Sequence, residues 1–161
     1  MLFKPILTLF AVALAAAAPV SARREAGTIP LLTTIENKGV TVRYDPPECT
    51  SDYRGMYFPM RHEMWLCTGM AQRKSHDDHD TVRHEAWHLL QHCRHGGPHL
   101  KTFYTDRAVF TDLVNQHVSV SIYRFYSRLY TGAHRLVELE AHAASKAFTS
   151  AQIDQLIQRY C

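Results

Sequence analysis

Two histidines and a glutamate stand at a spacing that suits metal chemistry: His84, Glu85 and His88 form an HExxH pattern. On a helix, residues four positions apart lie on one face, and these two histidines would be roughly 6 Å apart along the axis. Two imidazoles so placed can share one zinc ion at Zn–N distances of about 2.0–2.1 Å. Glu85 would lie beside the metal, where a carboxylate can take a proton from a metal-activated water.

A buried helix is expected over residues 80–93, with Trp87 in the core. Apolar residues recur there at helical spacing: Val82, Ala86, Leu89, Leu90 and Cys93. Carboxylates that could cap the N-terminus precede it: Asp77, Asp78 and Asp80. The alternative is a core helix with incidental histidines, but burying Glu85 and two histidines costs free energy unless they have a role.

A catalytic zinc ion has three protein ligands and one open position, so a third ligand is required. The pattern HExxHxxGxxH is excluded, because Gln91 and Arg94 stand where Gly and His are needed. His92 would lie about 12 Å along the axis from His84, which is too far for one metal to bind both easily. An aspartate could also be the third ligand, but no known ligand spacing supports Asp106 or Asp112.

A later Ala-rich stretch carries two glutamates, Glu138 and Glu140. The run Glu138-x-x-Ala141-His142 resembles the ExxA and ExxxD patterns of the gluzincin clan, HExxH metallopeptidases in which a Glu on a second helix completes the site. The resemblance implies that Glu138 is the third ligand and that His142 supports a ligand histidine, although Asp is usual at that position. Helical spacing alone leaves Glu140 as a second candidate, because it shares a face with several alanines.

The resemblance covers the two motifs and the order strand–helix–helix, and it implies a small exported zinc peptidase. We expect an α+β, zincin-like fold with a small sheet packed on the metal helix and two or three further helices. Glu85 would be the general base acting on a peptide or protein substrate. Candidate donors to an oxyanion are His142, His134 and Tyr126.

The rival hypothesis is a zinc-stabilised binding or inhibitory module of the same fold. Glu85 argues against it, since a residue that is not a ligand has no structural reason to be Glu.

The flanking segments predict the remaining elements. Residues 31–35 and 40–44 are β-rich runs around a predicted hairpin turn at 36–39, and 49–59 is expected to be irregular. Residues 63–67 are a further strand, either an edge strand that pairs with extended substrate or an ordinary core strand. Helices are expected over 105–130, 134–148 and 150–160, the last capped by Thr149 or Ser150.

The N-terminus and the cysteines indicate export. Residues 1–22 contain Lys4, an apolar run and small residues before Arg23, which is typical of a signal peptide. The run is short for a membrane anchor, so we expect one domain over 23–161 in the periplasm or outside the cell. Four cysteines allow three disulfide pairings, of which Cys49–Cys67 with Cys93–Cys161 is favoured. The net charge of +3, with no basic stripe, argues against nucleic-acid binding.

Overall fold

The computed structural model describes residues 28–50, 53–67 and 76–161, with side chains described from His79 onward in the last range. The predicted signal peptide, residues 1–22, lies outside the described residues. The described residues form an α+β fold of six α-helices and one three-stranded sheet. The helices are α1 (Thr28–Asn37), α2 (His76–His95), α3 (Arg107–His117), α4 (Val120–Leu129), α5 (Gly132–Ala147) and α6 (Ser150–Tyr160). The strands are β1 (Thr41–Tyr44), β2 (Gly55–Phe58) and β3 (Glu63–Leu66), with a 3₁₀ turn at Pro59–Arg61.

The sheet has the order β1-β3-β2, with β3 parallel to β1 and antiparallel to β2. Two predicted strands are confirmed as β1 and β3. The edge-strand hypothesis for residues 63–67 is wrong, because Met64 of β3 pairs with Val42 on one side and Tyr57 on the other. The edge strands are instead β1 and β2, and β2 lies in the stretch 49–59, which the sequence predicts to be irregular.

Residues 31–35, predicted as a strand, belong to α1. Thr28, Leu31, Leu32 and Ile35 stand at helical spacing and are all buried, in a helix that packs mainly against α6. Tertiary burial of this face outweighs the β propensity of the Thr-rich run. The predicted hairpin turn is therefore also wrong. Gly39, at φ +81°, donates to the Glu36 carbonyl and ends the helix, as glycine commonly does.

The helix predicted over residues 80–93 is confirmed as the central part of α2, which packs against α5, α6 and β2. Trp87 is fully buried, and its ring stacks on Phe148 with centroids 5.2 Å apart. The N-cap prediction is wrong, because α2 already begins at His76. Asp80 lies within the helix, where its carboxylate accepts from Arg83 and from Lys146 of α5.

The C-terminal half is helical as expected, but it contains more and shorter helices than predicted. The predicted helix over 105–130 is broken at Val118 and Ser119, whose extended backbones separate α3 from α4. Helices α5 and α6 match the predictions, and Thr149 caps α6 through a capping box with Gln152. Five helices accompany α2, against the two or three expected.

Both favoured disulfides are confirmed. Cys49–Cys67 joins the segment before β2 to the end of β3, with Cα atoms 5.5 Å apart. Cys93–Cys161 joins the last turns of α2 to the final residue, with Cα atoms 5.1 Å apart. Among the described residues, no helix has the length and apolar character needed to cross a bilayer.

Candidate metal centre

The site forms where α2 and α5 pack together. The interface side of α5 is built from small residues, including the fully buried Ala141 and Ala144, and small side chains allow two helices to approach closely. His84 and His88 lie one turn apart on α2, and both face Glu138 on α5. The local spacing on α2 thus supplies two side chains, and the contact between helices supplies the third.

The three side chains converge on one point. His84 Nε2 lies 3.1 Å from His88 Nε2 and 3.2 Å from Glu138 Oε2, and His88 Nε2 lies 3.6 Å from Glu138 Oε1. Ligands about 2.0–2.1 Å from a tetrahedral ion are about 3.3 Å from one another, close to these separations. His84, His88 and Glu138 therefore form a group that could hold a metal ion.

The charges at this point favour a cation. Burial lowers the pKa of His88, but the Glu138 carboxylate facing it outweighs burial and raises that pKa to about 9. Burial raises the pKa of Glu138, but His88 and His84 hold it well below its usual range. A carboxylate facing two imidazoles is stabilised by positive charge between them, which a divalent metal ion supplies.

A buried hydrogen-bond chain orients His88. The Oε1 atom of Gln91 can only accept, so His88 Nδ1–H donates to it over 2.7 Å. This leaves Nε2 as the ring nitrogen that faces Glu138 and that a metal ion would bind. Gln91 Nε2 in turn donates to Glu140 Oε2 over 2.8 Å and to the Val137 carbonyl over 3.1 Å. Gln91 therefore fixes both the tautomer and the direction of the ring.

Glu140, the second candidate for third ligand, belongs to the support of the site. Its carboxylate is fully buried and accepts from Trp87 Nε1 at 3.2 Å and from Gln91. It also accepts from the backbone N–H groups of Phe103 at 2.6 Å and Tyr104 at 2.9 Å. With these donors on its two oxygens, Glu140 holds α2, α5 and the 103–104 segment together.

Glu85 lies beside the ligand group and is buried. Burial raises the pKa of its carboxyl, although His84 and His88 oppose that shift. The backbone N–H of Tyr57 in β2 hydrogen-bonds to this carboxylate, while its Oε2 atom is buried with no hydrogen-bond partner among the described residues. An unpaired buried oxygen is costly, and here it lies next to the point where the metal donors meet.

The close approach of β2 to Glu85 depends on a glycine. A Cβ atom added to Gly55 would lie 2.7 Å from Glu85 Oε1 and 2.8 Å from Thr81 Cγ2. Both distances are shorter than real Cβ contacts allow, so no other residue fits here without a shift. Gly55 thus lets the strand cover one side of the carboxylate.

These groups open onto one cleft of about 620 Å³, bounded by β2, α2, α4 and α5. His142 and Tyr126 both line it, with ring centroids 5.7 Å apart. Burial, helped by His84 and Lys146, lowers the pKa of His142 to about 4. Burial and the Glu138 charge raise the pKa of Tyr126 above its usual value. At neutral pH the imidazole is therefore uncharged and the phenol keeps its proton.

Not every predicted site residue reaches the cleft. His134 is exposed in the first turn of α5 and is not among the lining residues. His142 lines the cleft, but no hydrogen bond joins it to His84 or His88 in the described part of the chain. No hydrogen bond of the described residues therefore supports the role predicted for His142, and the side chain that hydrogen-bonds to His88 is Gln91.

Sequence reasoning missed Gln91 and Gly55. Gln91 was interpreted only as a residue that excludes another ligand pattern, although its position three residues after His88 put it on the same helix face. Gly55 offered no local signal, because its role comes from a contact with a residue 30 positions later. No protein-family model, curated protein or solved structure matches this chain.

Proposed function

We propose that the protein is a zinc-dependent metallopeptidase that cleaves peptide bonds, with Glu85 as general base and with His84, His88 and Glu138 as metal ligands. The observation that carries the proposal is Glu85 Oε2, a buried oxygen without a partner beside three converging metal donors. Two imidazoles and one carboxylate are a ligand set typical of catalytic zinc sites with an open position. When bound, zinc would supply Lewis acidity toward the scissile carbonyl and lower the pKa of a water.

The chain's own residues would handle the protons. Glu85 is held by the Tyr57 N–H on one side, and its free oxygen can accept a proton from the attacking water. Burial raises the pKa of its carboxyl, which makes the carboxylate a better base. Glu85 would then pass the proton to the leaving amine.

Tyr126 and His142 line the same cleft and would stabilise negative charge on the carbonyl oxygen. Because the pKa of Tyr126 is raised, its phenol stays protonated at neutral pH and can donate a hydrogen bond to an oxyanion. His142 is uncharged at that pH and can donate from one ring nitrogen.

A peptide substrate is supported by the edge strand β2. The Tyr57 N–H turns away from β3 toward Glu85, so the unpaired edge of β2 faces the catalytic group. Gly55, two residues earlier, presents its backbone in the same direction and lines the cleft. An extended peptide could add to this edge by β-pairing, which brings its backbone next to Glu85.

Export is part of the proposal. Two disulfides are typical of proteins in oxidising compartments, and residues 1–22 have the composition of a signal peptide. The substrate would therefore be a peptide or protein of the periplasm or the extracellular space.

Metal analysis and peptide hydrolysis of the oxidised protein test the function. Wild type should purify with one zinc ion per chain and cleave peptides. Glu85→Gln should keep zinc and lose hydrolysis by about two orders of magnitude or more, whereas Glu138→Gln should lose both. His92→Gln is the matched control, since this histidine lies one turn beyond His88 and bonds Tyr57 Oη over 2.8 Å instead. It should keep zinc and activity.

Three other results would contradict the proposal. Wild type without stoichiometric zinc would exclude a metalloenzyme. Stoichiometric zinc without hydrolysis of any peptide would favour the rival, a zinc-stabilised binding or inhibitory module. Full activity in Glu85→Gln would remove Glu85 from the mechanism.

A further inference from the structure

Helix α4 carries an apolar face that the core covers only in part, through Tyr126. Ile122, Phe125, Tyr126 and Leu129 stand at positions i, i+3, i+4 and i+7, the spacing that places side chains on one face of a helix. Such a face normally becomes buried, yet no residue of α4 is buried. Phe125 remains 45% exposed and Leu129 59% exposed.

This face opens onto the metal cleft. All four of its residues line the cleft, and Tyr130 extends the face just beyond the helix. The principal packing partner of α4 is α5, the helix that carries Glu138. The apolar surface therefore continues directly from the candidate metal centre, with Tyr126 at the junction, since its ring contacts His142.

We propose that this face of α4 binds a large apolar side chain, aliphatic or aromatic, of the peptide substrate next to the scissile bond. The inference rests on the peptidase function proposed above and adds the class of substrate. We assign a substrate side chain to this face because the face and the metal donors line the same cleft. The volume of that cleft is in the range of ligand sites.

The exposed apolar face of α4, formed by Ile122, Phe125, Tyr126 and Leu129 and called the wall below, favours an apolar side chain over a charged one. Removing apolar surface of Phe125 and Leu129 from water is favourable in proportion to the area covered. A carboxylate placed against the same surface would lose hydration without gaining a hydrogen bond there. The wall should therefore select by side-chain character rather than by backbone contacts, which are common to every peptide.

The helix offers matched control residues. Tyr123 is 45% exposed, as Phe125 is, but Tyr123 does not line the cleft. Val120 is also apolar and exposed, and like Tyr123 it lies outside the cleft lining. Truncating these two residues changes α4 itself to a similar degree without changing the wall.

The test uses quenched fluorogenic peptides that vary only at the two positions flanking the scissile bond, with Phe, Leu, Ala or Asp at each. Wild type should cleave the Phe and Leu peptides with kcat/KM at least tenfold above the Ala peptide, and the Asp peptide should be poorest. Phe125→Ala and Leu129→Ala should reduce that preference to about threefold or less. Tyr123→Ala and Val120→Ala should retain it, and all four variants should keep one zinc ion.

The outcomes separate this inference from the function on which it rests. Hydrolysis without an apolar preference, or equal losses in the control variants, would overturn the inference and leave the peptidase function intact. If wild type cleaves nothing, fluorescence anisotropy with labelled versions of the same peptides and Glu85→Gln protein decides the matter. Tighter binding of the Phe peptide than of the Asp peptide would then support the wall, and equal binding would overturn it.

Discussion

At the residue scale, the two glutamates of α5 have different surroundings and different proposed roles. Glu138 points toward the two imidazoles and is partly accessible from the cleft, as the proposed role of metal ligand requires. Glu140 has donors around both oxygens and no access to solvent. The difference arises because Glu138 and Glu140 are two positions apart on α5, and residues at that spacing point in directions about 200° apart around a helix. Two residues of the same type therefore meet nearly opposite surroundings.

Gln91 connects these two environments, and its removal should affect both. We expect Gln91→Leu to weaken zinc binding about 10–100-fold, because His88 loses the acceptor that fixes its tautomer. The variant should also be destabilised by about 1–3 kcal/mol, since Glu140 and the Val137 carbonyl lose a donor in a buried place. Competition with a chromogenic chelator and urea unfolding measure the two effects.

The control is Gln116→Leu, which removes an exposed side chain bonded only to Asp112. It should change neither quantity measurably. Wild-type zinc affinity in Gln91→Leu would show that His88 does not need this support.

At the element scale, the approach of β2 to α2 decides how Glu85 is held. The strand supplies the Tyr57 N–H to the carboxylate and covers it with Gly55, whose missing Cβ leaves the necessary space. The sheet thus holds Glu85 through the backbone of β2. That role is compatible with a short strand of only four residues.

Gly55→Ala should therefore impair hydrolysis more than folding. The added methyl group would displace Glu85, and an error of about 1 Å in a catalytic group can cost about 100-fold in rate. The overpacking should cost about 1–3 kcal/mol of stability. Zinc should stay bound, because the three atoms nearest to the added Cβ belong to Glu85 and Thr81 and not to His84, His88 or Glu138. Peptide hydrolysis, metal content and thermal unfolding test this.

Adding Thr81→Ser to Gly55→Ala removes one of the three close contacts of the added atom, that with Thr81 Cγ2, and leaves the two with Glu85. The double variant should regain part of the stability but not the hydrolysis, since the contacts with Glu85 remain. Wild-type hydrolysis in Gly55→Ala would show that β2 does not restrain the catalytic base.

At the scale of the whole molecule, the two disulfides close loops of different length around the same core. Cys49 and Cys67 are 18 residues apart, whereas Cys93 and Cys161 are 68 apart. A crosslink that closes a longer loop removes more conformational entropy from the unfolded chain. The second bridge also ties α6 to the end of α2, the helix that carries the candidate metal ligands His84 and His88.

Replacing both cysteines of one pair by serine should therefore destabilise the protein unequally. Loop-closure entropy predicts a loss of about 3 kcal/mol for Cys49→Ser with Cys67→Ser, and about 4 kcal/mol for Cys93→Ser with Cys161→Ser. Urea unfolding of the metal-free proteins measures both. The reverse order would show that native-state contacts around the bridges, and not chain entropy, dominate their effect.

Features that depend on local geometry could be predicted from the order of residue types along the chain. The helix around His84, Glu85 and His88 and the strands β1 and β3 follow from spacing and residue type along short stretches. The residue types narrow the cap of α6 to Thr149 or Ser150, and the observed cysteine pairs are the favoured choice among three pairings. The helix period alone places two imidazoles on one face. The match between Glu138 and a known second-helix pattern could also be found from residue types and their order.

Features that depend on contacts between distant elements could be read only from the folded structure. The contact of α2 with α5 brought Glu138 to the two histidines, and the backbone at 103–104 made Glu140 a support. Residues 31–35 became helical because their apolar face is buried against α6, and β3 lies in the centre of the sheet because β2 pairs on its other side. Each outcome depends on burial and hydrogen bonds between residues far apart in the chain, which local periodicity does not encode.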